Sequence, residues 1–311
     1  MNEVLAALVR ATPLLLTGLA VALAFRAGIW NIGAEGQFYA GAVAVTWIGT
    51  RVGLDSPWAA LILVPFAAMA AGMLWAAVPA YLRARFGVLE VITTIMLNFV
   101  AELLVSFLVQ GPLQEAGRTY PQLDPIAEVA RLPVLVPGSR FTWAFPVAVL
   151  LAVGPWFVLT RTRAGFLVRA VGASPSAARV SGRIRVGRVV AVAFLASGAL
   201  AALAGAAEVS GVTFALYEKL SPGYGYSAIA VALLVRLHPL AIVGTAVLFG
   251  ALAAAVGSLH LGGPWGGLVA AGLAGAFVAA VFAAVAVGLA GDQIVVGTAV
   301  TLGAIGATGA L

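Results

Sequence analysis

The chain has 311 residues, of which 63% are hydrophobic and only 9% are charged, and its mean hydropathy is +1.10. Soluble domains are about half apolar and about one quarter charged, so this composition excludes a soluble fold. The chain carries 17 basic and 11 acidic residues; in a membrane protein such an excess normally lies in cytoplasmic loops, and no nucleic-acid partner is expected.

Long apolar runs without charge, such as residues 189–207, predict membrane-spanning α-helices. A closed β-barrel would instead show segments of about ten residues that alternate between apolar and polar, and the sequence lacks them. A helix needs about 20 apolar residues to cross the hydrocarbon core, so the fold class is predicted to be an all-α, polytopic transmembrane bundle of about 8–10 spans, with broken or re-entrant helices. The candidate spans are 11–27, 37–50, 58–81, 89–110, 142–160, 189–209, 224–236, 239–258, 266–289 and 293–311.

The segment Phe25–Phe38 interrupts two apolar runs with three glycines and the polar residues Asn31, Glu35 and Gln37. Glycine-broken helices at membrane depth are tolerated where they are buried in protein or line an aqueous cavity. The pattern therefore predicts that this segment borders a translocation path. The alternative interpretation is an ordinary cytoplasmic turn.

Four further polar residues fall within predicted spans: Glu90, Asn98, Glu102 and Glu208. Polar side chains in a membrane are costly, so they are expected to face the bundle interior or water. Glu90 and Glu102 lie near span ends, where an interfacial position is the alternative. Asn98 is deeper, and it is the strongest candidate of the four for the path.

Two polar connections differ in charge. Gly111–Phe141 is mixed, whereas Arg161–Arg188 contains seven arginines and no acid. The positive-inside rule places the arginine-rich connection in the cytoplasm and the mixed one outside. Counting spans backwards leaves Met1 outside, so either one span is re-entrant or a preceding helix is missing.

Several kinds of chemistry lack the residues that they need. Lys219 is the sole lysine, so the chain has no Walker A loop and any ATP must be handled by another subunit. Cysteine is absent, and the two histidines, His238 and His260, fall on different predicted sides of the membrane. No enzyme activity, cofactor or metal site is therefore expected.

Residues 12–38, 87–101 and 165–206, extended by 221–252, resemble the permease subunits of nucleoside and simple-sugar ABC importers. This class includes ribose and branched-chain amino-acid permeases. The resemblance implies a multi-pass protein of the cytoplasmic (inner) membrane that moves a small-molecule solute by alternating access. It also implies an ABC ATPase subunit, a second permease subunit and an extracytoplasmic solute-binding protein as partners.

The resemblance further implies a cytoplasmic coupling helix that docks on the ATPase, at Val171–Gly182. Ser174 and Pro175 agree with a helix start, because serine caps helices and proline is tolerated in the first turn. Many relatives have Asn where this chain has Ser174. A basic loop on the membrane surface is the alternative. The implied coupling residues are Gly172, Ala173, Ser174, Pro175, Ser176, Ala177, Ala178 and Arg179.

The resemblance divides the chain in two. Residues 1–258 match the permease, without the helix that usually precedes the first span, and residues 259–311 resemble part of the partner permease, as in a fused or truncated gene. Pro57-Trp58 and Pro264-Trp265 begin two similar stretches, which an internal repeat would also explain.

The expected function is import of a nucleoside or simple sugar, driven by a separate ATPase. A branched-chain amino-acid permease and an ion-driven secondary transporter are the alternatives. A membrane-embedded transferase or hydrolase would need clustered acids or histidines, and the acids here are scattered.

Overall fold

The computed structural model describes residues 3–51 and 56–258, which form helices joined by irregular segments. A 3-10 helix covers Glu128–Ala130, and a π-helix, Val209–Thr213, continues α8. The α-helices of the described residues are α1 (Glu3–Arg26), α2 (Ala34–Arg51), α3 (Pro57–Phe86), α4 (Glu90–Gln110), α5 (Ala144–Arg161), α6 (Arg163–Ala173), α7 (Pro175–Val180), α8 (Val186–Glu208), α9 (Tyr224–Leu234) and α10 (Pro239–Ser258).

The eight predicted spans within the described residues all coincide with helices. The predicted spans 266–289 and 293–311, and with them the proposed 259–311 segment and His260, lie outside the described residues. Within the part of the chain that the structure describes, five helices are long and apolar enough to cross a membrane: α1, α3, α4, α5 and α8 with its π-helical continuation. The prediction of an all-α polytopic bundle is therefore confirmed.

The predicted span 224–236 is shorter than a full crossing. Helix α9 has 11 residues, which at about 1.5 Å per residue reach about 16 Å, roughly half of the hydrocarbon core. It starts after Gly223, whose φ of 92° is left-handed, a conformation that glycine adopts at little cost. The chain thus enters the bundle in irregular form and becomes helical only part-way through.

Helix α8 is the centre of the bundle, and α1, α2 and α3 all pack on it. Its buried face consists largely of alanine and glycine. Gly198 of α8 lies against the backbone of Gly72 in α3, at a point where a Cβ on either residue would overlap the other helix. Small residues allow this close approach, which favours helix association where lipid removes the hydrophobic driving force.

Helices α3, α4 and α5 form the outer surface. In the most apolar 18-residue stretch of each helix, only 22%, 22% and 17% of the residues are buried, against 67% for α1 and 56% for α8 with its π-helical continuation. They expose large apolar side chains such as Phe66, Leu103 and Leu150. This distribution suits contact with lipid tails, which solvate apolar side chains as water does not.

The two ends of the bundle have different coverings. The arginine-rich end carries α6, α7 and the neighbouring ends of α1 and α9, where the Arg26 guanidinium donates a 2.8 Å hydrogen bond to the carbonyl of Arg236. At the opposite end, the irregular segment 111–143 lies over α2 and α8. Its Ala127 N–H donates to the carbonyl of Gly49, and its Leu132 N–H donates to that of Ser210.

Candidate functional site

The first helix break, residues 27–33, joins α1 to α2 and is closed by a buried amide network. Asn31 is fully buried and donates to Gln37 Oε1 at 3.1 Å and to Ser197 Oγ at 2.9 Å. Asn31 Oδ1 accepts hydrogen bonds from the N–H of Gly33 and from Gln37 Nε2. Ser197 in turn donates to the carbonyl of Ala20. The network ties the break to α1, α2 and α8.

Asn98, in α4, holds the same break from the other side. Its Oδ1 accepts from the N–H of Gly36 at 2.8 Å, and its Nδ2 donates to the carbonyl of Ile32 at 2.9 Å. Nδ2 also donates to the Tyr226 hydroxyl at 3.2 Å. Since backbone groups freed by a helix break must find partners, Asn98 satisfies one acceptor of this break, at Ile32, and one donor in the first turn of α2, at Gly36.

The second helix break, residues 214–223, leads from the opposite end into the bundle, where α9 begins. Ser221 Oγ accepts hydrogen bonds from the N–H groups of Gly223 and Tyr224. The next N–H, that of Gly225, donates to Glu35 Oε2 at 2.6 Å. Glu35 belongs to the first turn of α2, so its carboxylate joins the starts of two helices.

A cavity of about 1000 Å³ reaches from the opposite end to this junction. Around the junction it is lined by Glu35, Tyr39, Ser221, Tyr224 and Tyr226, a group that we call the floor. The remaining lining residues are Ala6, Val9, Arg10, Leu14, Phe99, Glu102, Leu103, Val105, Ser106, Arg140, Glu208, Val212, Tyr217, Glu218, Lys219, Leu220, Pro222, Gly223 and Ala253.

Of the four predicted path residues, only Glu35 lines this cavity. Asn31, Gln37 and Asn98 are at most 1% exposed and use their amides to hold the first break. The expectation that Asn98 is the leading path residue is therefore revised: Asn98 is not part of the cavity lining, and it holds the first helix break in place. From the sequence alone, an amide within a predicted span fits two roles: it can bond backbone groups, or it can line a water-filled path. Only the packing in the structure distinguishes these roles.

Both acids and bases line the cavity. Arg10 donates to the carbonyl of Ala253 near the end of α10, and Arg140 lies in the covering segment 111–143. Lys219 lies in the second break, next to Glu218. The Ser106 hydroxyl and the Gln110 amide donate to Glu218, and these hydrogen bonds lower the pKa of that carboxyl below its ordinary value. No basic residue contributes to the floor, although Glu35 does.

The other three predicted polar positions have distinct surroundings. Glu90 forms an ion pair with Arg83 at the arginine-rich end and is not among the cavity residues, in line with its interfacial alternative. Glu208 and Glu102 do line the cavity. No group of three or more metal-ligating side chains occurs within residues 3–51 and 56–258.

The aromatic lining was not predicted. Tyr39, Tyr224 and Tyr226 contribute phenol groups to the floor, and Tyr217 and Phe99 also line the cavity. The pattern that could have indicated two of them, Tyr224 and Tyr226, is the Ser-Pro-Gly-Tyr-Gly-Tyr run at 221–226. Like Asn31–Gln37, it places glycines and polar groups directly before a helix.

The implied coupling residues occupy two helices instead of one. Gly172 and Ala173 end α6, and α7 runs from Pro175 to Val180 with Ser174 as its N-cap. Ser174 Oγ accepts a 3.2 Å hydrogen bond from the Ala177 N–H, as the predicted helix start required. The single predicted helix Val171–Gly182 is therefore corrected to an elbow, because Ser174 is extended, with φ of −158°.

The two faces of this elbow have different contacts. Ala178 is 5% exposed and packs in a small cluster with Val171 and Val186, and Gly172 lies against the backbone of Arg26 and Gly28. Pro175, Ser176, Ala177 and Arg179 are exposed. Gly172 and Ala178 therefore face the chain's own bundle, so two of the implied coupling residues do not belong to the exposed face.

The sequence from residue 4 to residue 259 matches a protein family described as the branched-chain amino acid transport system, permease component. The chain belongs to this permease family. The glucose ABC transporter permease protein TsgB13 of Haloferax volcanii is 44% identical over 74% of this chain and 62% of its own length. The guanosine ABC transporter permease protein NupP of Bacillus subtilis is 38% identical over 80% of this chain and 72% of its own.

The nucleoside ABC transporter permease protein NupB of Lactococcus lactis is 32% identical over 77% of this chain and 68% of its own length. The chain thus spans somewhat less than two thirds of the glucose permease and somewhat more of the other two. No solved structure matches the chain. The ABC permease membership and the apolar helices establish a multi-pass membrane protein.

Proposed function

We propose that this chain is the transmembrane permease subunit of an ABC importer that moves a nucleoside or simple sugar across the cytoplasmic membrane. The observation that carries the proposal is the cavity of about 1000 Å³, which enters from one end and stops where α2 and α9 begin. A path that is open at one end and closed near mid-depth is what alternating access requires. Transporters of several folds place their sites at such broken helices.

The chemistry of the cavity suits a neutral, hydroxyl-rich solute with a flat ring. Tyr39, Tyr224 and Tyr226 offer aromatic surface together with hydroxyl groups. Ligand sites commonly combine an aromatic lining with a few polar groups that fix orientation. The names of the relatives, which refer to glucose, guanosine and nucleosides, favour the same class of solute.

The energy for transport would reach the cavity from the arginine-rich end, which we place in the cytoplasm. The exposed face of α7 would receive an ABC ATPase subunit, and Gly172 would pass its displacement to the first break through the contact with Arg26 and Gly28. Asn31 and Gln37 tie that break to α2. A second permease subunit and an extracytoplasmic solute-binding protein would complete the importer.

Uptake measurements test the function directly. Cells that express the chain with its transport partners should accumulate labelled guanosine or glucose, and accumulation should stop when the ATPase subunit cannot hydrolyse ATP. Accumulation of leucine alone would favour the branched-chain amino-acid alternative. Accumulation that follows an ion gradient and persists without the ATPase would replace the proposal by a secondary transporter.

The coupling role is tested by two bulky substitutions on the same end of the molecule. Ala177→Trp adds volume to the exposed face of α7, whereas Phe86→Trp alters an exposed residue at the end of α3. Ala177→Trp should reduce co-purification of the ATPase severalfold while the amount of inserted permease stays normal. If Phe86→Trp has that effect and Ala177→Trp does not, docking occurs at the Arg83–Gly87 surface.

A further inference from the structure

The starts of α2 and α9 meet inside the bundle. Gly225, in the first turn of α9, lies so close to the backbone of Ala34 and Glu35 that a Cβ on it would overlap them. Each helix start carries a partial positive charge, equivalent to about half an elementary charge. Two such ends in contact attract an anion, and broken-helix transporters use helix N-termini to bind anionic substrate groups.

In this chain, the side chains of its own residues occupy these donors. The N–H groups of Gly223 and Tyr224 donate to Ser221 Oγ. The N–H of Gly225 donates to Glu35 Oε2 at 2.6 Å. At the start of α2, the N–H of Gly36 donates to Asn98 Oδ1 at 2.8 Å. Glu35 supplies the one carboxylate among these acceptors, and it also lines the cavity floor.

We propose that Glu35 is a specificity-determining residue whose carboxylate takes the position of an anionic ligand group and so excludes negatively charged solutes from the floor. The proposal rests on the proposed transport function and deepens it: the solute that reaches the floor is uncharged or cationic. A phosphorylated or carboxylated form of the same solute would meet a carboxylate where its own anionic group needs free N–H donors.

The distribution of charge along the cavity supports this assignment. The basic lining residues Arg140 and Lys219 are exposed and Arg10 is half-buried, so an anion can approach them from outside, whereas Glu35 on the floor is only 1% exposed. An anion would therefore enter the mouth and be rejected further in. Glu102 lines the same wall and adds negative charge without a backbone partner of its own among the described hydrogen bonds.

The test measures the electrical potential at the floor, and it exploits the absence of cysteine from the chain. Phe99→Cys, on the cavity wall next to Asn98, introduces a thiol near the floor, and Ala6→Cys introduces one near the mouth. Each thiol is labelled at alkaline pH, where the Glu35 carboxyl is ionised, in the full chain in lipid nanodiscs, with an anionic sulfonate and a cationic trimethylammonium methanethiosulfonate. The ratio of the two labelling rates reports the local potential.

Glu35→Gln keeps an oxygen that can accept from the Gly225 N–H and removes only the charge. In the Phe99→Cys background it should raise the anionic-to-cationic ratio by about tenfold, since one negative charge acts oppositely on the two reagents. The ratio at Ala6→Cys should change less than twofold. Glu35→Asp retains the charge and should retain the original ratio.

Two results would overturn the assignment. An unchanged ratio at Phe99→Cys in folded Glu35→Gln protein would mean that this carboxylate does not set the potential of the floor. An equal change at Phe99→Cys and Ala6→Cys would mean that Glu35 has no special effect on the floor. Because labelling needs neither ATP nor uptake, its outcome is independent of whether the import measurements succeed.

Discussion

The two helix breaks are held in place by different kinds of interaction. The first, residues 27–33, is closed by the side-chain amides of Asn31 and Gln37, both at most 1% exposed. The second, residues 214–223, is held by backbone pairing with segment 111–143, in which the Leu123 N–H donates to the carbonyl of Leu216. The first break is thus a hydrogen-bonded hub that joins α1, α2 and α8 inside the bundle, whereas the second break lines the cavity. Substitutions should therefore have unequal effects at the two.

The largest effect is expected at the hub. Asn31→Ala leaves the Gln37 amide, the Gly33 N–H and an acceptor site on Ser197 without their partner. Each buried polar group left unpaired costs about 1–3 kcal/mol, so the free energy of unfolding should fall by about 4 kcal/mol. Thermal melting of the purified protein in detergent measures this loss.

Gln110→Ala is the matched control for Asn31→Ala, because Gln110 is an exposed amide whose hydrogen bonds are also exposed. Its effect should stay within about 0.5 kcal/mol. Equal losses in the two variants would show that the buried network is not what holds the first break.

The next largest effect is expected where the two breaks meet. Gly225→Ala introduces a Cβ that overlaps the backbone of Ala34 and Glu35, and overpacking of this kind costs about 1–3 kcal/mol. Gly154→Ala, in α5, places the same methyl group where no atom lies within 4 Å. It should leave the melting temperature unchanged or raise it, since alanine is the better helix former. A similar loss of stability in both variants would show that the close contact at Gly225 is not the cause.

A smaller loss of stability is expected in the second break, at Ser221 on the cavity floor. Ser221→Ala removes the acceptor for the N–H groups of Gly223 and Tyr224, and loss of such a cap typically costs about 1 kcal/mol. Ser221→Thr keeps a hydroxyl and should recover most of the lost stability. If Ser221→Ala melts at the same temperature as Asn31→Ala, the predicted difference in stability loss between the two breaks is wrong.

The smallest effect concerns Glu218, in the outer part of the second break. Its folded pKa is lowered by hydrogen bonds from Ser106 and Gln110, from an ordinary value of 4.5. The sign follows: its contribution to stability is present above that ordinary value and is lost as pH falls through the lower folded pKa. Melting temperatures of the original protein and Glu218→Gln should differ slightly at about pH 7 and converge by about pH 3. A difference that grows in acid would contradict this sign.

Helix positions were predictable because long uncharged runs are dictated by the thickness of the membrane. The start of α7 was predictable too, since Ser174 and Pro175 act locally. The side to which each polar residue turns was not. Asn31 and Glu35 are four residues apart in one glycine-rich segment, yet one lies in the packed network and the other reaches the cavity, because α8 covers the first and α9 begins beside the second.

The burial of Ala178 escaped prediction for a related reason. A small residue fits a tight internal contact and a tight contact with a partner equally well, and composition does not distinguish the two. The cluster with Val171 and Val186 becomes visible only after α7 folds back on the start of α8. The cavity itself joins α1, α2, α4 and α9, which are far apart in sequence, and no local pattern encodes its shape.

The central position of α8 also bears on biosynthesis. Helices α1, α2 and α3 pack on α8, but the ribosome makes α4–α7 before α8 appears. During that interval, the first three helices reside in the membrane without their main partner, and the polar groups of Asn31 and Gln37 lack Ser197 as a neighbour. A nascent chain arrested before α8 should therefore be a preferred substrate for membrane quality-control proteases, and release through α8 should protect it.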